Sequence, residues 1–497
     1  MASLERKGLV QPEDEAAGRW RFAHALVLEA AYRGLSKELR ADLHERLADW
    51  MIEEDADQTD VDESVARHLE RALHLLEELG SRDERSDALS ERAGELFARA
   101  GSRAFASVDY ITSRDLLGRA AALLPTGSPR RLDLVPYLGM TLAATGLPEE
   151  AEVVLSEGVE QARSAGSERD ALRTTVRLLA NRIYRSPTDV EIESAASGVR
   201  AAVGSFESMG DDAGVAETAL ALMEIEYMRG RLPETLQWTS KALRHALAAG
   251  RPHEATEAAA MLLASAIEGP LPVDRFAVTA GELSAANDDP ISRSTSHALL
   301  AAAALALGDD SGFREHERAW REVIDRNGLS GLGAMHAALI ASAEFWAGNP
   351  GSAELRLREA REILAPLGFI WWMDGLDGLI CSAVEAQDRP RDFLRLADTF
   401  EASVTFLDRD ISIRRQLVRA RAHLIRGSAA DADVAARHAV ELSGTSDLVL
   451  IQAEALLTLA DVLDARDLGN EAAAARSEAI VKLRAKGNLA AVARLGA

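Results

Sequence analysis

"LGDDSGFREHERAWREVIDRNGLSGLGAMHAALIASAEFWAGNPGS", Leu307–Ser352, is punctuated by three glycines, Gly308, Gly328 and Gly348. Between the first two, Phe313, His316, Trp320, Val323 and Ile324 recur at three- and four-residue steps, the spacing of one helix face. Glycine suits the breaks because a helix commonly stops at a residue with positive φ, which only glycine adopts without steric cost. The stretch therefore reads as two helices and two turns. Such a hairpin has one apolar side and no means of covering it alone.

The same break returns in both directions along the chain. Gly230, Gly269, Gly308 and Gly348 are separated by 39, 39 and 40 residues. "TGLPEE" at Gly146, "IRGSAAD" at Gly427 and "DLGNEAA" at Gly469 continue the series. Intervening slots fall on "YRSPTD" near Ser186, on "AQDRPRD" at Gln387 and on "ASVDY", where Val108 takes the glycine's place. Second breaks stand at Gly166, Gly250, Gly328 and Gly368. After Gly230, the residues Leu236, Trp238, Leu243, Ala246 and Leu247 largely keep helical steps. Repeated hairpins must stack to hide their apolar sides, so the chain is expected to be an all-α solenoid of about ten helix pairs.

Composition agrees. Of 497 residues, 47% are hydrophobic but only 5% aromatic, which favours closely packed helices over β-sandwiches. The formal charge of −24 opposes non-specific attraction to nucleic acid or anionic lipid, so neither is expected as a direct partner. Cys381 is the single cysteine. It rules out an intrachain disulfide and suits a reducing compartment, and in "GLICSAVEA" it reads as a small buried apolar residue. No signal peptide precedes Glu5 to Lys7, and the longest apolar run, Ala298 to Leu307, is about half a membrane span. A cytoplasmic location is expected.

The first 52 residues read differently. "GLV" and "RWRF", parted by "QPEDEAAG", are consistent with a β-hairpin. Two helices follow, His24 to Leu35 and Lys37 to Ile52, the second with Leu39, Leu43, Leu47 and Trp50 on one face. Residues 53–64 contain "EEDADQTDVDE", which has no base and reads as a solvated acidic linker. The repeats then occupy 65–497.

The break followed by an Ala- and Leu-rich helix, as in Thr141 to Ala162 and Leu457 to Asn488, resembles tetratricopeptide (TPR) repeats and implies a right-handed TPR-like superhelix. "FAHALVLEAAYRGLSKELRADLHERLADW", Phe22 to Trp50, with "VARHLERALHLLEELG", Val65 to Gly80, resembles the end of the nucleotide-binding module of STAND-class signalling ATPases. It is most similar to bacterial proteins that join a P-loop ATPase and TPR repeats to a cyclase or a LuxR-type DNA-binding domain. "KLRAKGNLAAVARL", Lys482 to Leu495, is similar to the ending of the cyclase-linked kind. The resemblance implies that residues 1–52 are part of a winged-helix subdomain. It also implies that His24 contacts the phosphate of a nucleotide when a P-loop domain is supplied. An imidazole at a helix start can offer an N–H beside backbone amides that favour anions. Ala25 departs from the acidic residue that follows this histidine in many such proteins, and a structural histidine satisfied by neighbouring backbone is the alternative.

A P-loop itself needs a Gly-Lys-Ser/Thr ending. The five lysines, Lys7, Lys37, Lys241, Lys482 and Lys486, follow Arg, Ser, Ser, Val and Ala, so no Gly-Lys pair exists. "HEATE" at His253 lacks the second histidine of a zinc-protease helix, and His68 and His74 are out of helical register for a shared metal. Carboxylate pairs such as Glu149/Glu150 and Asp309/Asp310 sit at helix starts, where the dipole accounts for them. Trp371 and Trp372 read as core residues. No catalytic residue, cofactor or metal is therefore expected. The sequence predicts a regulatory module that binds a protein, peptide or small effector on the solenoid's concave face, with an upstream P-loop ATPase as a further partner. The sensor arm of a LuxR-type transcription regulator is the alternative.

Overall fold

The structure, a computed structural model, describes residues 2–14, 19–54, 61–183, 189–286, 289–368, 370–403 and 408–496. These divide into two compact units: residues 1–103 with 115–134, and residues 104–114 with 135–497.

In the first unit, Val10–Asp14 and Arg19–Phe22 pair antiparallel, with Val10 opposite Phe22. The expected hairpin is there, shifted toward the polar residues. Helices Ala25–Arg33, Lys37–Glu54, Asp62–Glu77 and Glu84–Ala106 follow. Helix Lys37–Glu54 buries Ala41 and Ala48 against Asp62–Glu77, because two small residues let the helices approach closely. This corrects which face packs. Leu39, Leu43, Leu47 and Trp50 remain 38 to 51% exposed. Residues 55–60 of the acidic segment lie outside the described residues. Asp62, from its end, is buried and held by Arg99 (2.7 Å) and Arg103 (2.6 Å).

The second unit is an α-solenoid of the TPR-like type. Among the described residues nine helix pairs, from Pro129–Ala144 with Pro148–Ser164 to Val449–Asp464 with Gly469–Lys486, belong to it wholly or mostly, and the pair before them, Glu84–Ala106 with Tyr110–Leu123, lies mostly in the first unit. Most helices pack on the next, and first members of successive pairs also pack on one another, as in Pro252–Glu268, Pro290–Leu307 and Ser330–Trp346. The two members differ in kind. Asp310–Asn327 is amphipathic and buries only Trp320 and Ile324. Ser330–Trp346 is apolar nearly all round and is buried nearly all round, as expected of a helix with neighbours on every side.

The breaks work largely as read. Gly146, Gly166, Gly230, Gly250, Gly308, Gly328, Gly348, Gly368 and Gly427 all have positive φ. Val108 does too, at 66°. A β-branched residue pays steric strain there, and burial of its side chain beside Phe105 and Tyr110 opposes that cost. Three slots need correction. Gly269 is extended because Pro270 follows and disfavours other backbone in the residue before it. Asp388 and Asp467, rather than Gln387 and Gly469, take the left-handed position, which aspartate tolerates better than most residues. The slot near Ser186 lies outside the described residues. At Gly308 the neighbouring Asp309 accepts from the backbone of Ser311 and Gly312 and starts the next helix. Asp309→Ala is expected to cost about 1 kcal/mol, seen as earlier amide exchange in Asp310–Asn327.

Around helix Pro252–Glu268 the inner face of this solenoid is closed by the chain itself. Every residue from His253 to Glu268 is buried. The helix touches Asp212–Met228, Leu232–Ala248, Pro290–Leu307, Ser330–Trp346 and Val449–Asp464. No helix among the described residues is long and apolar enough to cross a membrane.

Candidate functional site

His24 stands at the N-cap of helix Ala25–Arg33, with extended backbone and no hydrogen bond from its side chain to the cap. It is exposed. The helix it begins has no buried residue at all. Phe22, Leu26 and Leu28, 42, 77 and 49% exposed, lie on the same short stretch.

The other sequence candidates are drawn into structure. His253 is buried and donates from Nδ1 to the Phe105 carbonyl at 2.9 Å, with Glu257 3.5 Å from its Nε2. His68 meets His44 rather than His74, Nδ1 to Nδ1 at 2.9 Å, and burial lowers the pKa of both rings. Among the described residues no group of three or more His, Cys, Asp or Glu could hold a metal ion. Cys381 is buried, and burial pushes its thiol up to about 12, which makes it a poor nucleophile. Asp309 serves as a helix cap and Glu149 lies in the first turn of Pro148–Ser164.

The inner helices of the second unit carry two buried ionic clusters that no motif announced. In the first, Arg173 grips Glu217 with two hydrogen bonds, Nη2 to Oε1 at 2.6 Å and Nε to Oε2 at 2.9 Å. The Tyr137 hydroxyl donates to Glu217 at 2.8 Å and accepts from Arg251 at 2.9 Å. Nearby, Tyr110 donates to Glu257 at 2.5 Å.

The second cluster borders a cavity of ≈ 70 Å³, against about 10–15 Å³ for a single water on the same measure. Five helices build it: Asp212–Met228, Pro252–Glu268, Ser330–Trp346, Ile370–Glu385 and Arg409–Ile425. Met261, Leu339, Trp372, Leu376 and Ile411 give it apolar walls. Tyr227, Glu268, Asp408, Asp410 and Arg414 give it polar groups. Asp408 caps Arg409–Ile425 by accepting from the Ile411 amide at 2.7 Å. Arg414 donates from Nε to Asp410 at 2.9 Å. Glu268 accepts from the Ser342 hydroxyl at 2.6 Å. Burial, with Asp410 close by, raises the Asp408 carboxyl to about 7. Burial likewise raises Glu268.

Trp372, read as core from the sequence, is half-buried and faces this cavity; the Trp371 side chain lies outside the described residues. The remaining cavity residues were missed because they come from positions 227 to 414. One signal was available: helices such as Ser330–Trp346 are apolar all round, which already says that both sides are covered.

No protein-family model matches the chain, and no curated protein does. Among solved structures it is similar to the APC/C hetero-tetramer Cut9-Hcn1, with a TM-score of 0.50 and 13% identity over 95% of this chain and 82% of that one. It is also similar to a STAND protein with a tetratricopeptide repeat sensor from Pyrococcus horikoshii, with a TM-score of 0.40, 12% identity and 96% of this chain covered. The match spans 57% of that chain's length. At these identities the likeness speaks to the fold.

Proposed function

We propose that the chain is a non-catalytic regulatory and protein-interaction module of a STAND-type signalling ATPase. Its N-terminal hairpin and helices serve as part of a winged-helix subdomain that meets a P-loop domain. The inner face of the solenoid takes a small effector that biases the switch.

The observation that carries this reading is the exposed apolar surface of residues 22–50. Helix Ala25–Arg33 buries nothing, and Lys37–Glu54 turns Leu39, Leu43, Leu47 and Trp50 outward. Nine residues of helix are marginal in water without packing. Apolar side chains this close together on a surface mark an interaction site. His24 opens that helix with its imidazole accessible, where an N–H would meet a phosphate presented by the docked domain. Direct reading of DNA by this helix is a poorer fit, since its only arginine, Arg33, is paired with Glu29 at 2.5 Å.

Calorimetry tests the reading. The chain alone is expected to give no heat with ADP or ATP. With a P-loop ATPase domain joined ahead of it, ADP is expected to bind, and His24→Ala to weaken that binding about tenfold. Micromolar nucleotide affinity in the isolated chain, or an unchanged ADP affinity in the joined His24→Ala protein, would falsify it.

A further inference from the structure

We infer that the cavity beside Trp372 is a binding site for a small zwitterion with an apolar body, an α-amino acid of about the size of leucine. The inference rests on the effector half of the function proposed above and not on its nucleotide half.

The argument begins with unspent hydrogen bonds. Arg414 is 5% exposed, and its Nε is committed to Asp410. Among the described residues neither of its two terminal nitrogens has a hydrogen-bond acceptor, and Arg414 borders the cavity. Asp410 Oδ1 is buried and lacks a donor. The Asp408 cap uses one of its two oxygens. The Tyr227 hydroxyl also borders the cavity without a hydrogen-bond partner among the described residues. Asp410 Oδ1 is the fully buried unpaired atom among them, which is costly, and the others line the same space with hydrogen-bonding capacity to spare, so together they call for an occupant.

The groups specify its chemistry. Glu268, Asp408 and Asp410 against one guanidinium leave an excess of acceptors, which suits an ammonium. The free end of Arg414 is a planar pair of donors, which suits a carboxylate. An occupant carrying both ends brings no net charge into the interior, so it avoids the desolvation cost of either ion alone. Between these ends the walls are Met261, Leu339, Trp372 and Ile411, which favour an aliphatic side chain and exclude a sugar or a nucleotide. The site also joins helices far apart along the chain. A ligand there would tie Pro252–Glu268 to Arg409–Ile425, two elements about 150 residues apart, as an effector site requires.

Titration calorimetry on the full chain decides the matter, with L-leucine, isopentylamine and 4-methylpentanoate as probes. Leucine is expected to bind at micromolar to sub-millimolar concentration, and each single-ended analogue at least tenfold more weakly. Asp408→Asn, which keeps a capping oxygen, is expected to weaken leucine tenfold or more at an unchanged melting temperature. Gly375 lines the same cavity, and a Cβ there would sit an ordinary 3.8 Å from Ile411. Gly375→Leu should therefore fill the space, raise helix propensity and abolish binding. No leucine binding at about 10 mM, as for a cavity holding water only, would overturn the proposal. Isopentylamine binding as tightly as leucine, or leucine binding that survives Gly375→Leu, would overturn it equally. None of these outcomes bears on whether ADP binds when a P-loop domain is joined, so the two readings fail separately.

Discussion

Glu217→Ala is expected to destabilise the second unit by about 3–5 kcal/mol, the range found when one member of a buried ion pair is removed. The Arg173 side chain is 0% exposed and Glu217 7%. Removing the carboxylate leaves the Arg173 guanidinium inside the protein without its two close acceptors and takes the 2.8 Å acceptor from the Tyr137 hydroxyl. Burial by itself would push the Glu217 carboxyl up, but the Arg173 charge and hydrogen bonds outweigh it and hold the pKa below the usual carboxylate value. Because the folded pKa is depressed, this contribution is fully present above the unfolded value of about 4.3 and fades as pH falls through the folded one. Hydrogen exchange should show the loss first in Glu168–Arg182 and Asp212–Met228, and the melting temperature should fall with it. The double replacement Arg173→Met, Glu217→Met should recover much of the loss, since it removes both charges and keeps volume. A double variant no better than Glu217→Ala would show that the charges are not the source of the effect.

Lys486→Met should produce a loss of comparable size, at least about 3 kcal/mol, by detaching the end of the chain. Lys486 is buried, and its Nζ donates to the carbonyls of Ala266, Gly269 and Leu271 at 2.5, 2.6 and 2.6 Å. Its own carbonyl accepts from the Val273 amide at 2.9 Å. Three carbonyls where helix Pro252–Glu268 ends are thus satisfied by one side chain from more than 210 residues away. Methionine matches the length but offers no donor, so all three are left buried and unpaired. Limited proteolysis should then cut within residues 465–490 while the rest of the solenoid resists. Burial lowers the Lys486 ammonium to about 7, with Glu268 opposing. Between pH 7 and about 10.4, the reference value for lysine, the unfolded chain therefore binds more protons than the folded one. Stability should rise with pH across that window, and the rise should be absent in Lys486→Met. A parallel pH profile in the two proteins would argue against this account of Lys486.

The charge pattern of the first unit offers a contrast in scale. Apart from those of buried Asp62, most of its ion pairs, such as Arg85 with Asp42 at 2.5 Å, sit among half-exposed side chains, where each is worth little. The same residue types count for more in the second unit only because the packing around them excludes water.

Legibility followed range of interaction. The alternation of Gly308, Gly328 and Gly348 with helical steps such as Trp320 to Ile324 is a local matter, decided within about forty residues by backbone sterics and apolar spacing. It was enough to identify stacked helix pairs, to place most breaks, and even to assign Val108 to a left-handed position. It misplaced the break at Gly269, where Pro270 intervenes, and those at Gln387 and Gly469, where Asp388 and Asp467 take the left-handed position instead. The N-terminal stripe shows the opposite limit: Leu39, Leu43, Leu47 and Trp50 form an apolar face in any helix, but whether that face is covered depends on what lies opposite.

The cavity beside Trp372, the grip of Arg173 on Glu217 and the clasp of Lys486 belong to another order. Their partners stand 44 residues apart for Arg173 and Glu217 and 215 to 220 apart for Lys486. Spacing along the chain carries no record of such distances. The one-dimensional pattern determined that two-helix units stack. How tightly the stack winds, and so which polar groups meet in its interior, was decided only in three dimensions, where the desolvation of each group depends on every helix that surrounds it.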